Sequence, residues 1–204
     1  MTIPEVLAAV PAGLLATLRR RHAEPLRAYH DWSHVEAMLA LFAETRADLA
    51  APDAVLHAIL FHDAVYDPQA HDNEERSALL LETLAAGLLD RATLDRAARM
   101  VRATQRHRID PALPPDERAD MGRFLDMDLA ILGAEPARFD AYEAAIRFEY
   151  GHVADAGFAA GRAAVMAGFG RRARLYLSDW GHGRFEAQAR ANIARSLARL
   201  AAAV

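Results

Sequence analysis

A chain of 204 residues that is 53% hydrophobic carries enough apolar material to fill a sizeable core, which excludes intrinsic disorder. Its formal net charge of −4 excludes the basic stripe expected of a dedicated nucleic-acid binder, so a nucleic-acid polymer is not an expected partner. The absence of cysteine excludes disulfides, iron–sulfur clusters and thiolate zinc sites, leaving nitrogen and oxygen as the only donors for a metal.

The first segment, MTIPEVLAAVPAGLL, has no basic leader and reaches Glu5 and Pro11 quickly, so it does not read as a secretory signal. No apolar run approaches the roughly 20 residues of a membrane span, and a cytoplasmic protein is expected. Helical periodicity then dominates. Val35, Met38, Leu39 and Phe42 recur at helical spacing after Ser33, a candidate N-cap, and predict a helix over 32–49. Pro52 and Asp53 open a second helix carrying Val55, Leu56, Ile59 and Leu60, which ends near Tyr66 because Pro68 disfavours helical geometry before it.

Asp72 and Glu75 have capping-box spacing and predict a helix ending at Gly87. A further helix spans 90–107, three prolines (Pro111, Pro114, Pro115) form a loop, and the next helix runs over 117–132 to Gly133. Pro136 starts a helix toward Tyr150, and two more occupy 155–169 and 184–203. With no strand alternation, no fixed-period repeat and no long linker, the chain reads as all-α, a single-domain helical bundle over 1–204.

The doublet His-Asp occurs three times, at residues 30–31, 62–63 and 71–72, and chance alone supplies roughly one. Position separates them. His62 follows Val55 and Ile59 on one face, and Asp63 follows Leu56, Ile59 and Leu60, so both point inward from an apolar helix. His34 shares a face with Met38, Leu41 and Phe42. Asp128 shares one with Phe124, Leu125, Ile131 and Leu132, whereas Asp126 falls on a more exposed side. Buried polar groups cost free energy unless satisfied. Any one of these residues alone reads as a hydrogen-bonded core residue, but two imidazoles and two carboxylates can satisfy one another around a single cation.

The segments YHDWSHVEAM, LFHDAVYDPQAHDNEERSA and FLDMDLAILG resemble those of the HD superfamily of metal-dependent phosphohydrolases, in particular a bacterial branch of predicted hydrolases with unassigned substrate. The resemblance runs from about Tyr29 to Tyr176. It implies the HD-type helical fold, and it places the family's first histidine on His34, its doublet on His62 and Asp63, and its final aspartate on Asp128, with Asp126 two residues away as the alternative. It also implies hydrolysis by metal-activated water, with Asp63 accepting the water's proton. One divalent ion is expected, and imidazole with carboxylate suits Mn, Fe, Co, Ni or Zn better than Mg.

Further site candidates follow from position. Asn73, Glu74 and Glu75 start the helix after the doublet, with Glu74 and Glu75 as candidate catalytic groups and Asn73 a candidate substrate contact. Glu75 has a rival capping role. Arg106 and His107 end a helix and are candidate phosphate contacts, although a cation is favoured there by the helix dipole alone. His30, one turn before His34, is a candidate pocket residue, and Trp32 either packs or stacks on a base. Arg147, Glu149, Tyr150 and Arg162 read as solvated ion pairs, and His22, His57, His152 and His182 as structural or surface residues.

All 24 basic residues are Arg, which excludes lysine nucleophiles and suits planar phosphate contacts. The resemblance implies a phosphate ester or anhydride as substrate, and the Arg-only basic complement with the acidic net charge favours a small molecule over a polymer, nucleotides included. Two other functions fit the same residues: a metal-containing binding or sensor module without turnover, and a metal-free bundle in which buried His and Asp pair with Arg. A homodimer through Leu79, Leu80, Leu81 and Leu84, or through the C-terminal Ala- and Leu-rich helix, is left open.

Overall fold

The structure, a computed structural model, describes residues 2–202. Ten α-helices and two short 3-10 segments account for its regular structure, and among the described residues there is no strand beyond one isolated bridge between Ala86 and Leu89. No helix among them is long and apolar enough to cross a membrane. The packing divides into two compact units, residues 1–127 and 128–204. The division falls at the last residue of a helix and not in a linker, so composition carries no trace of it.

The first unit opens with α1 (Ile3–Leu7) and α2 (Ala12–His22), which the periodicity argument does not resolve. Helix α3 (Trp32–Thr45) is capped by Asp31, whose carboxylate accepts from the Ser33 amide at 2.8 Å. Ser33 is therefore inside the helix, and the residue before Trp32 is the cap. The expected long helix ends at Thr45 and is continued by a 3-10 turn, Arg46–Asp48.

Helix α4 (Pro52–Phe61) is the hub: every residue from Ala54 to Phe61 is buried, and α3, α5 (Asn73–Leu84) and α6 (Arg91–Ala103) all pack against it. Its start has no side-chain cap of its own. Asp120 of α7 (Pro115–Asp128) supplies one from a distance, accepting from the amides of Ala50 at 3.0 Å and Ala51 at 2.8 Å with both oxygens of a buried carboxylate. Helix α4 stops at Phe61, well short of Tyr66, so residues 62–72 leave the helix and are free to carry a site.

At the start of α5 the expected capping box is absent. Asp72 makes no side-chain cap bond, and Glu75 turns instead to Arg102 of α6. Helix α5 ends at Leu84, and Gly87, with φ of 78°, takes the left-handed turn that follows.

The second unit contains a 3-10 segment (Leu129–Gly133), α8 (Pro136–Glu149), α9 (Asp155–Gly170) and α10 (Asp179–Ala202). Helix α10 begins five residues before the predicted 184 and packs on α9 and on the 3-10 segment. Its core gathers Leu129, Leu132, Phe139, Met166, Leu175, Tyr176, Ala189 and Ile193. Three buried polar side chains are matched there. The Tyr176 hydroxyl donates to the Leu129 carbonyl at 2.9 Å, Asn192 donates to the carbonyls of Leu132 and Ala134, and Glu186 accepts from the amides of Leu175 and Tyr176. Arg162 and Glu143 pair here with little solvent contact, and Glu149 is buried, so these are not the solvated ion pairs expected from sequence.

Candidate metal centre

Three donors converge in the first unit. His34 comes from the first turn of α3, while His62 and Asp63 stand at and just beyond the end of α4. The His34 and His62 Nε2 atoms are 3.0 Å apart, the Asp63 Oδ2 is 3.0 Å from His62 Nε2, and it is 3.9 Å from His34 Nε2. Ligand atoms of the three all lie within 4.8 Å of one another.

The orientation of His62 is fixed by its other nitrogen. Nδ1 lies 2.9 Å from the Ile59 carbonyl, which can only accept, so Nδ1 carries the proton and Nε2 presents its lone pair to the cluster. This is the tautomer a metal ligand needs, and a backbone carbonyl behind the imidazole is the usual way of holding it.

The donor spacing fits one shared ion. Donors bound at ~2.1 Å and ~90° to one another lie about 3 Å apart, and opposed donors about 4.2 Å apart. The two 3.0 Å edges match the first case, and the 3.9 Å edge approaches the second. Imidazole with carboxylate is also a donor set that binds divalent ions of the Mn-to-Zn series. A divalent ion is thus a fitting occupant of the His34, His62 and Asp63 group, and its identity is not fixed by these residues.

Solvent reaches the group from one side. The His62 and His34 side chains are 1% and 5% exposed, whereas that of Asp63 is 19% exposed. Phe124 packs edge-on against His62 with ring centroids 6.2 Å apart, and Tyr29 lies against His34 at 4.8 Å. Two imidazoles are therefore walled by aromatic rings, and the carboxylate faces the open side.

Other expected residues distribute unevenly. His30 is half-buried and stacks on Tyr66 with centroids 4.2 Å apart, 6.3 Å from the His34 ring, so it does border the cluster. Asn73 bonds the Asp67 backbone with both ends of its amide, accepting at 3.1 Å and donating at 2.8 Å, and so pins the loop after the doublet.

Glu75 is held by Arg102 through both oxygens, at 2.7 and 2.9 Å, which lowers its pKa and keeps it ionised. Its carboxylate ties α5 to α6. Glu74, half-buried beside it, is left as the candidate acidic group of this turn.

Arg106 and His107 follow the end of α6. His107 has φ of 47°, a left-handed conformation usually given to glycine, and its amide closes onto the Ala103 carbonyl at 2.8 Å. Gln105 donates to the His71 carbonyl at 3.3 Å, which brings this segment beside the loop that follows the doublet.

Asp126 and Asp128 reverse the expected order of burial. Asp126 is 1% exposed and Asp128 is half-buried, because the last turns of α7 are buried around most of their circumference, Phe124, Leu125 and Met127 together with Asp126. Exposed residues of α7, such as Asp116, Arg118 and Ala119, lie in its first turns and do not mark a side for Asp126. Asp128 belongs to the second unit, within electrostatic reach of Tyr142, and the three-residue group includes neither aspartate.

One residue near the site went unread in the sequence: Arg27, whose side chain is only 1% exposed and bonds the backbone of the doublet turn, lies beyond α2 where no helical face marks it as buried. His22, read as a structural or surface residue, is buried on the Leu18 face of α2. In comparisons with protein-family models, curated proteins and solved structures, none matches the chain.

Proposed function

We propose that the chain is a metal-dependent phosphohydrolase of the HD type, cleaving a phosphate ester or anhydride of a small phosphorylated molecule, nucleotides among the candidates. The observation that carries this reading is the meeting of His34, His62 and Asp63 within one 4.8 Å sphere of donors, from segments 28 residues apart in sequence. In the same reading Asp126, a buried carboxylate of the last turns of α7, is the fourth protein donor.

A divalent ion, when bound, supplies Lewis acidity toward the phosphoryl group and a lowered pKa for water. The chain's own residues do the rest. His62, fixed by Ile59, and His34 hold position against the aromatic wall. Asp63, the least buried of the three donors, accepts the proton of the attacking water. Glu74, in the first turn of α5, is the further candidate acid–base group. Arg106, His107 and His30 contact the substrate, the Arg106 guanidinium by charge-assisted bonds to phosphate oxygens.

An activity screen across nucleotides and small phosphoesters, supplemented with manganese, nickel, cobalt or zinc, tests the proposal with Asp63→Asn as control. The expected result is metal-dependent release of phosphate or a phosphorylated product that falls at least about a hundredfold in the variant. Metal-loaded protein that is inert across the panel, with Asp63→Asn altering only ligand affinity, would contradict hydrolysis and favour a binding module.

A further inference from the structure

The backbone around the cluster is gathered by one buried side chain. Arg27 follows α2, and its guanidinium lies between two loops: the residues 28–31 that lead into α3, and the turn after α4. Nη1 donates to the His30 carbonyl at 2.9 Å and to the Asp63 carbonyl at 2.7 Å, and Nη2 reaches the Ala64 carbonyl at 3.5 Å. Nε donates to Glu24 at 3.1 Å, and the guanidinium carbon stands 5.4 Å from the Tyr66 ring centroid.

Each of these contacts has a consequence for the donors. The Asp63 and Ala64 carbonyls lie beyond the last hydrogen-bonded turn of α4, where the helix dipole favours a cation and the carbonyls need donors. The His30 carbonyl sits four residues before His34. A planar fork satisfies carbonyls arriving from separate directions, whereas an ammonium presents its donors from a single point. With its side chain 1% exposed, Arg27 has exchanged water for these carbonyls and Glu24.

We infer that Arg27 is a positioning residue for the metal centre, setting the Asp63 carboxylate against His34 and His62 by clamping the backbone of the doublet turn to the loop before α3. The inference rests on the proposed metal centre. It extends that reading to a residue that touches neither ion nor substrate, and it predicts that metal affinity depends on the geometry of the fork and not on positive charge alone.

The test is a calorimetric titration of the full chain with Mn²⁺ or Ni²⁺, comparing wild type, Arg27→Lys and Arg27→Ala, with thermal melts of the metal-free proteins. Arg27→Lys, which keeps the charge and is the milder change, is expected to fold and to bind about 10-fold to 100-fold more weakly, the range seen when residues behind a metal ligand are lost. In a Co²⁺-loaded sample its visible absorption bands are expected to shift, because the donor geometry changes. Arg27→Lys that melts lower yet binds metal with wild-type affinity and spectrum would make Arg27 a purely structural residue and overturn the inference, leaving the metal centre standing. Wild-type protein that binds no metal would overturn both.

Discussion

The Nε2 atoms of His34 and His62 face each other across 3.0 Å, and His62 turns its lone pair toward that gap because its Nδ1 proton is committed to the Ile59 carbonyl. Two buried imidazoles so placed share either a proton or a cation. Adding Mn²⁺ or Ni²⁺ at about 100 times Kd is therefore expected to stabilise the protein by ~2.7 kcal/mol, a rise in melting temperature on the order of 10 °C. His62→Ala is expected to lose that rise. Differential scanning fluorimetry reads both.

The carboxylates at the end of α7 separate by substitution. Asp126→Asn is expected to weaken metal binding at least about 10-fold, since an amide is a poorer donor than a carboxylate in a buried position. Asp128→Asn, in the second unit, is expected to retain wild-type affinity. Isothermal titration of the two variants measures this, and the opposite ranking would return the fourth ligand to Asp128.

His22 predicts an acid limb of stability. It is buried, its Nδ1 proton is donated to the Leu18 carbonyl, its Nε2 has no protein partner, and desolvation lowers its pKa from 6.5 to about 4. A histidine with a depressed folded-state pKa stays neutral when folded and takes up a proton when unfolded. Its contribution is thus complete above about pH 6.5 and is lost as pH falls toward 4, by ~3 kcal/mol at ~1.36 kcal/mol per pH unit. Burial lowers the pKa of His57 in the same direction. Chemical denaturation between pH 7 and 4 is expected to show a shallower loss in His22→Gln than in wild type.

Much of the architecture was legible because Pro, Gly and apolar periodicity act locally. Pro52 and Pro136 do start helices, and His34 and His62 are buried as their faces predicted, whereas Asp63 joins them from beyond the end of the helix on which its face was read. What was not legible depends on distant partners. Asp120 capping α4, Arg102 drawing Glu75 away from its capping role, and Arg27 binding the doublet turn are all contacts between residues separated by 27 or more positions in sequence. Asp126 was misjudged because the last turns of α7 are buried around most of their circumference, which leaves no polar stripe there to mark an outward side.

The Asp120 contact has its own consequence. Its two charge-assisted bonds cap the helix that ends at Phe61, just before His62, and Asp120→Ala is expected to destabilise the protein by about 2–3 kcal/mol. Urea denaturation of the metal-free protein checks the value, and a loss below ~0.5 kcal/mol would show that water replaces the cap.

In the second unit, a methyl group on Gly133 would stand 2.6 Å from the Phe185 Cβ and 2.8 Å from the Phe185 carbonyl oxygen. Gly133→Ala therefore forces backbone movement and is expected to cost about 1–3 kcal/mol, measured by the same denaturation.

Elemental analysis of protein purified without chelator, and reloaded with a single divalent metal, bears most directly on whether His34, His62 and Asp63 form an ion site. About one equivalent in wild type, falling below ~0.2 in His34→Ala, is the predicted result. Wild-type protein that itself holds less than ~0.2 equivalents and shows no thermal shift with manganese or nickel would contradict it.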